Sequence, residues 1–90
     1  MDFTVKNNYA ESRFEAQIDD CLAFVDYQIN GKQITLVHTE VPPQLGGQGV
    51  GGKIVKAALD FAVDNHLKVL PECPFVARYI ERHPYYNIRV

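Results

Sequence analysis

No apolar run in this 90-residue chain approaches the roughly 18 residues that a membrane-crossing helix needs, so no membrane partner is expected. Basic charge is also scarce. Nine Lys and Arg stand against eleven Asp and Glu, a net charge of −2. That balance argues against nucleic acid as a partner, since sequence-independent binding requires a basic surface. The only cysteines, Cys21 and Cys73, are far apart in sequence and suit a reduced setting rather than a disulfide framework. There is no Cys/His cluster at metal spacing, so no metal is expected. The start, Met1-Asp2-Phe3-Thr4, has neither the basic nor the apolar region of a signal peptide, and the expected location is the cytoplasm. Repeats, low-complexity tracts and linkers are missing too. Residues 1–90 are therefore expected to form a single small domain with little stability to spare. A hydrophobic content of 47% and a charged content of 22% fit an ordinary folded protein, not a disordered tail.

Glycine, by contrast, is concentrated. Most of the six glycines crowd into Val41-Pro42-Pro43-Gln44-Leu45-Gly46-Gly47-Gln48-Gly49-Val50-Gly51-Gly52-Lys53. A strand-like segment ends there in two prolines, a turn follows, and an amphipathic helix begins. Glycines let backbone N–H groups approach a ligand closely and take φ > 0 where needed. The free N–H groups and dipole of a helix start favour anionic oxygens. The loop thus has the makings of a phosphate site, and three motifs overlap on it. Gly47, Gly49 and Gly52 fit the dinucleotide pattern G-x-G-x-x-G, with Glu72 downstream. Gly47 through Lys53 nearly completes a P-loop, but Ile54 stands where the magnesium-ligating Ser or Thr belongs. The third pattern is Gln/Arg-x-x-Gly-x-Gly/Ala, the pyrophosphate loop of acyl-CoA-dependent acetyltransferases. Gly49 and Gly51 satisfy its end, and Gly46 takes its first position.

The rest of the chain decides among them. Phe14, Ala16 and Ile18 alternate with polar residues, and Asp19-Asp20 makes a two-residue turn. Cys21 to Ile29 is strand-like, Asn30-Gly31 is a type I′ hairpin signal, and Gln33 to Val41 returns. Residues 3–7 are a candidate for an additional short strand. A turn at Asn30-Gly31 sets Tyr27 opposite Ile34, Val25 opposite Leu36, Ala23 opposite His38 and Cys21 opposite Glu40. His38 and Glu40 then extend an apolar stripe, an unusual place for polar groups. After the loop, Val50, Ile54, Ala57, Ala58 and Phe61 recur at helical spacing, with Lys53, Lys56, Asp60 and Asp64 on the wet face. Leu67 to Leu70 predicts a short strand. A second helix from Pro74 carries Phe75, Val76, Tyr79 and Ile80 inward until Pro84 stops it. Tyr85 and Tyr86 follow in a terminal segment expected to pack on the sheet. The expected fold is α+β: a mixed, mainly antiparallel sheet in the order β-β-β-α-β-α. A dinucleotide fold needs alternating βαβ units, and a P-loop enzyme needs its Ser/Thr and a magnesium aspartate. Both fall behind.

Together, His38-Thr39-Glu40-Val41-Pro42, the glycine loop, Pro71-Glu72-Cys73-Pro74-Phe75-Val76 and Tyr79-Ile80-Glu81-Arg82-His83-Pro84 resemble the GNAT superfamily of acetyl-CoA-dependent N-acetyltransferases, in its smallest single-domain branch. The resemblance implies acetyl-CoA or coenzyme A as cosubstrate and an amine as acceptor. It implies that the strand at Thr39 and Val41 hydrogen-bonds the pantetheine arm, with its backbone N–H stabilising the oxyanion. The pyrophosphate would rest on Gly46, Gly47, Gln48, Gly49, Val50, Gly51, Gly52 and Lys53. It further implies that the strands ending near Val41 and at Leu67–Leu70 splay, so that the thioester lies between them. The chain departs from the superfamily at Gly46, where Arg or Gln is usual, and it lacks the early helices that shape acceptor pockets in larger relatives.

Four residues are candidates for the chemistry, each with a structural alternative. Cys73 precedes Pro74 at a helix start, where a thiol is more readily ionised. It either takes the acetyl group, lines the thioester pocket, or is a buried cap residue. His38 and Glu40 are candidate bases for the acceptor ammonium, or a structural pair at the sheet end. A bulge would swap which of the two faces the site. Tyr79 is a candidate acid for the departing CoA thiolate, a role the superfamily often gives to a Tyr on this helix, or a core aromatic. Arg78, Arg82 and His83 either contact CoA phosphates or form a solvated face; Arg78 is the one assigned to the cofactor. A module that binds or senses acyl-CoA without efficient turnover is the alternative to an enzyme.

Overall fold

The computed structural model describes residues 3–89. Five strands form one sheet in the sequence order β1 (Lys6–Asn8), β2 (Arg13–Ile18), β3 (Cys21–Asn30), β4 (Gln33–Glu40) and β5 (Lys68–Pro71). The first four pair antiparallel, and β5 lies parallel to β4. The expected α+β order is present, with β1 as the additional N-terminal strand, set a few residues later than 3–7. Asp19-Asp20 turns as its sequence indicates, with Asp19 at φ 54° and Ile18 opposite Cys21.

The β3–β4 hairpin differs from its expected register. Asn30 pairs with Gln33, so the turn is Gly31-Lys32 and not Asn30-Gly31; Gly31 supplies the positive φ of 64°. Tyr27 consequently faces Leu36 rather than Ile34. A shift of two residues leaves every side chain on its expected face, because strands alternate with period two. The decisive difference is a β-bulge. Tyr27 pairs with Leu36, but Asp26 pairs with His38, which leaves Val37 extra. One extra residue reverses the alternation beyond it. Leu36 is buried, Val37 and His38 are exposed, Thr39 turns inward and Glu40 is exposed.

One face of the sheet carries the core. Phe14, Ala16, Val25, Tyr27, Ile34 and Leu36 meet Ile54, Val55, Ala58, Leu59 and Ala62 of α1 (Val50–Asp64) in a single cluster. This is the 3.6-residue apolar stripe of α1 laid on the period-two stripe of the strands. Helix α2 (Pro74–Arg82) adds Val76 and Ile80 to the same cluster. Phe75, expected inward, is 44% exposed. Beyond Pro84 the chain forms a short helix, α3 (Pro84–Asn87), where only a terminal segment was expected. Tyr86 packs on α1, not on the sheet: its hydroxyl donates to Asp60, which also accepts from Lys56 Nζ at 2.8 Å.

This last contact yields a stability prediction. Burial, followed by the bond to the Asp60 carboxylate, pushes the Tyr86 hydroxyl up to about 12 from the ordinary 10.0. A raised pKa means that the folded state holds the proton more tightly. The stabilisation is full below the ordinary value and lost as pH rises through about 12. Tyr86→Phe is expected to cost about 1 to 2 kcal/mol at neutral pH, since it strands a half-buried carboxylate oxygen. Urea unfolding from pH 9 to 12 checks both parts: wild type converges on the variant as pH rises.

Candidate active site

The point where β4 and β5 part defines the site. Their pairing runs from Gln33–Lys68 to Leu36–Pro71 and then stops, while β4 continues to Glu40. The Cys73 N–H still donates to the Leu36 carbonyl at 3.1 Å, which fixes the head of α2 beside the bulge. Past that bond, the edge of β4 from Val37 onward has no strand against it among the described residues.

Cys73 lies at this fork as the residue capping α2. It is buried, and its Sγ lies 3.3 Å from Thr39 Oγ1, the side chain that the bulge turns inward. Burial pushes the thiol up. The Thr39 hydroxyl and the N–H groups of Val76, Phe75 and Thr39 outweigh it, and the thiol ends below its ordinary value. The cause is physical: a thiolate accepts hydrogen bonds from the hydroxyl and from otherwise unpaired N–H groups of the first helical turn.

The glycine loop forms the other wall. Pro43–Leu45 makes a 3-10 turn that buries Leu45 and anchors the loop from below. Gly47 and Gly49 take φ 75° and 74°, and a Cβ at either would meet nothing within 4 Å. Left-handed backbone with open space above it admits a ligand and disfavours any residue but glycine. Gly49 caps α1 with no side-chain hydrogen bond, and the first bond in the helix runs from Lys53 N–H to Gly49. The N–H groups of Val50, Gly51 and Gly52 are thus without intrahelical acceptors, at the positive end of the α1 dipole. Gly51 is needed for a different reason. A Cβ there would come within 2.9 Å of Phe75 Cζ and 3.2 Å of Val41 Cγ2. Val41, Leu45, Phe75 and the loop glycines enclose a cavity of about 300 Å³. Phe75, which closes this cavity, lies in the first turn of α2, two residues after Cys73.

The structure sorts the other candidates. Thr39 and Val41 face the fork and the loop. Val50 is buried as the anchor of α1, whereas Gln48 and Lys53 are exposed, with the Lys53 ammonium 5.0 Å from the Phe3 ring centroid. His38 and Glu40 are not on the stripe that was expected to hold them. They pair with each other at 3.1 Å on the open face of the sheet, side chains 56% and 58% exposed, with the His38 ring 6.2 Å from that of Phe24. The bulge put them there, and it put Thr39 beside Cys73 instead. Tyr79 packs across α1: its Cε2 lies 3.6 Å from where a Gly52 Cβ would be, and its ring stacks on His83 at 3.8 Å. Arg78 is exposed; the α2 cation that lines a cavity is Arg82, with His83 just beyond the end of the helix.

A strand fork, a glycine loop at a helix start and a thiol between them can be compared with known proteins. A family model described as GCN5-related N-acetyl-transferase matches residues 13–88, which takes in both walls of the fork. The chain belongs to the GCN5-related N-acetyltransferase family. Within it, Protein NATD1 of Mus musculus is 34% identical over 83 residues, covering 89% of this chain and 76% of the relative. Protein NATD1 of Homo sapiens matches at the same identity, with 74% of its length covered. The solution structure of a GCN5-like protein from Staphylococcus aureus, named as a candidate N-acetyltransferase, superposes with a TM-score of 0.76. It is 32% identical, over 96% of this chain and 85% of the other. The family implies acetyl-CoA as cosubstrate. It also disposes of the dinucleotide and P-loop alternatives, in keeping with a sheet whose first four strands have no helices between them.

Proposed function

We propose that this chain transfers an acetyl group from acetyl-CoA to an amine. The pyrophosphate is taken by the N–H groups at the head of α1, the pantetheine by the free edge of β4, and the thioester carbonyl comes to Cys73. One observation carries the reading: the Cys73 sulfur is buried at the strand fork, bonded to Thr39 and ringed by backbone N–H groups. In a two-step route its thiolate attacks the acetyl carbon. The bond to the CoA sulfur breaks and CoA leaves as a thiolate. The amine then displaces Cys73 from the acetyl-cysteine and gives its proton to solvent. The acceptor is a small amine or a protein lysine, and the unpaired cysteines fit a reducing, cytoplasmic setting.

A second reading, an acyl-CoA-binding module without efficient turnover, is supported by the position of His38 and Glu40. Their side chains are on the open face of the sheet, not beside the thiol, which leaves the acceptor amine without the base expected for it. Incubation with labelled acetyl-CoA and a mixture of polyamines, small amines and lysine peptides separates the two. Acetylated amine is the expected product; tight CoA binding with no product would establish the module.

A further inference from the structure

At the end of the sheet opposite the strand fork, a cavity of about 510 Å³ opens between the last turn of α1, the start of β5 and the chain beyond α3. Its floor is apolar, from Ala62, Val63 and Leu67, and its rim is basic, from His66, Lys68 and Arg89. All three basic residues are exposed. Lys32 brings a fourth to this end, because its carbonyl accepts from the Lys68 N–H at 2.8 Å. No carboxylate lines the cavity, in a chain whose acids outnumber its Lys and Arg eleven to nine. Asp64, the nearest acid to His66 in sequence, lies outside the lining.

These basic residues are not needed to cap α1. Its last carbonyls are already taken: Asn65 donates to Phe61 through both its N–H and its Nδ2, His66 N–H to Val63, and Leu67 N–H to Ala62. The last two bonds close the helix through a left-handed residue, a position that glycine usually fills. Here it is His66, at φ 56°. An imidazole is thus held where the backbone alone favours glycine. Arg89 is fixed as well. Its Nη1 donates to the Tyr85 carbonyl at 2.7 Å, and its guanidinium carbon lies 3.9 Å from the Tyr85 ring centroid. Among the described residues no ion pair engages His66, Lys68 or Arg89. Tyr85 and Ile88, 55% and 80% exposed, extend the apolar surface beside Arg89.

We infer that this face docks an acidic, partly apolar segment of a partner protein. Charge complementarity sets the sign of the partner, with Lys68 and Arg89 taking carboxylates. The apolar floor sets its class. A peptide whose carboxylates reach the rim can lay an apolar neighbour on Leu67 or Ile88, whereas a free inorganic anion uses the cations alone. Nucleic acid needs a broad basic surface, and this patch is small on an acidic protein. From Gln33, paired with Lys68, to Thr39 at the fork, β4 runs about 20 Å at roughly 3.3 Å per residue. Docking here therefore leaves the thiol and the glycine loop open, and it does not depend on acetyl transfer.

Titration with short synthetic peptides, followed by amide NMR, tests the inference. A peptide of alternating glutamate and leucine should shift Ala62, Val63, His66 to Lys68 and Arg89, and its affinity should fall as salt is added. Arg89→Gln and Lys68→Gln should each weaken it about fivefold, the size of one charged contact at a solvated surface. His66→Gly separates binding from folding. It relieves the left-handed strain, so the urea midpoint should rise while peptide affinity falls. A glutamate–serine peptide and inorganic phosphate should bind more weakly than the glutamate–leucine peptide, and a lysine–leucine peptide weakest of all. Equal binding of any of these three overturns the docking surface. So do shifts centred elsewhere, no binding of the glutamate–leucine peptide, or tighter binding of a short single-stranded oligonucleotide.

Discussion

Replacing Gly49 and Gly51 with valine is expected to lower coenzyme A affinity about a hundredfold, the equivalent of two charge-assisted hydrogen bonds of about 1.5 kcal/mol each. The two positions fail for different reasons. Gly49 holds φ 74°, so a β-branched residue there strains the backbone that presents the helix start, and its side chain fills space that is open for a phosphate. At Gly51 the new Cβ would press on Phe75, whose ring is partly exposed and can swing aside, narrowing the cavity between the loop and α2. The fold should tolerate the change at Gly51 better than that at Gly49. Calorimetric titration of each single variant and the double variant, with unfolding curves alongside, checks this. NAD and ATP should bind wild type much more weakly than CoA does. Unchanged affinity in the double variant would remove the loop from the site.

Cys73→Ala is expected to leave the fold intact, at a cost of about 1 kcal/mol for the thiol and its bond to Thr39, and to lower acetyl transfer about a hundredfold or more. The thiol is also open to a direct probe. Its ionisation is held below the ordinary value, so its alkylation by a small haloacetamide should reach half its plateau below the roughly 8.5 of a free cysteine. Burial slows the reaction at every pH but leaves that midpoint in place, so the profile is the informative quantity. Thr39→Val removes the hydroxyl that bonds the sulfur and should move the midpoint upward. Bound CoA should protect Cys73. A mass increment of one acetyl group on Cys73 after acetyl-CoA alone marks the two-step route. Full activity in the alanine variant would reduce the thiol to a structural cap and favour direct attack by the amine.

The parts of this fold that follow local rules could be read from the chain. Alternating Phe14, Ala16 and Ile18, the helical stripe from Val50 to Ala62 and the Pro74 start of α2 each have one dominant period or one strong punctuation, and each formed as written. The glycine loop was legible for the same reason, because its residues are unusual enough to need a cause. What sequence could not supply was the extra residue at Val37. A bulge is a property of two strands together, and no residue type in Leu36-Val37-His38 demands it. Yet that residue decides the site: it brings Thr39 to Cys73 and sends His38 and Glu40 to the far face. The Lys56–Asp60–Tyr86 cluster was hidden in a similar way. Lys56 and Asp60 have the i, i+4 spacing of an ordinary solvated pair, and only the turn of the chain at Pro84 brings Tyr86 onto them. Phe75 departs from its expected place because a helical apolar stripe does not distinguish a core residue from one that lines a surface cavity.

If acetyl-CoA lies across the loop and the strand fork, amide-resolved NMR during a CoA titration will register it at both. The largest shifts are expected on Gly46 to Gly52, on Thr39 to Val41 and on Cys73 to Val76, saturating together with one binding constant. Shifts confined to the open face around Phe24, His38 and Glu40, with the glycine loop unmoved, would contradict it.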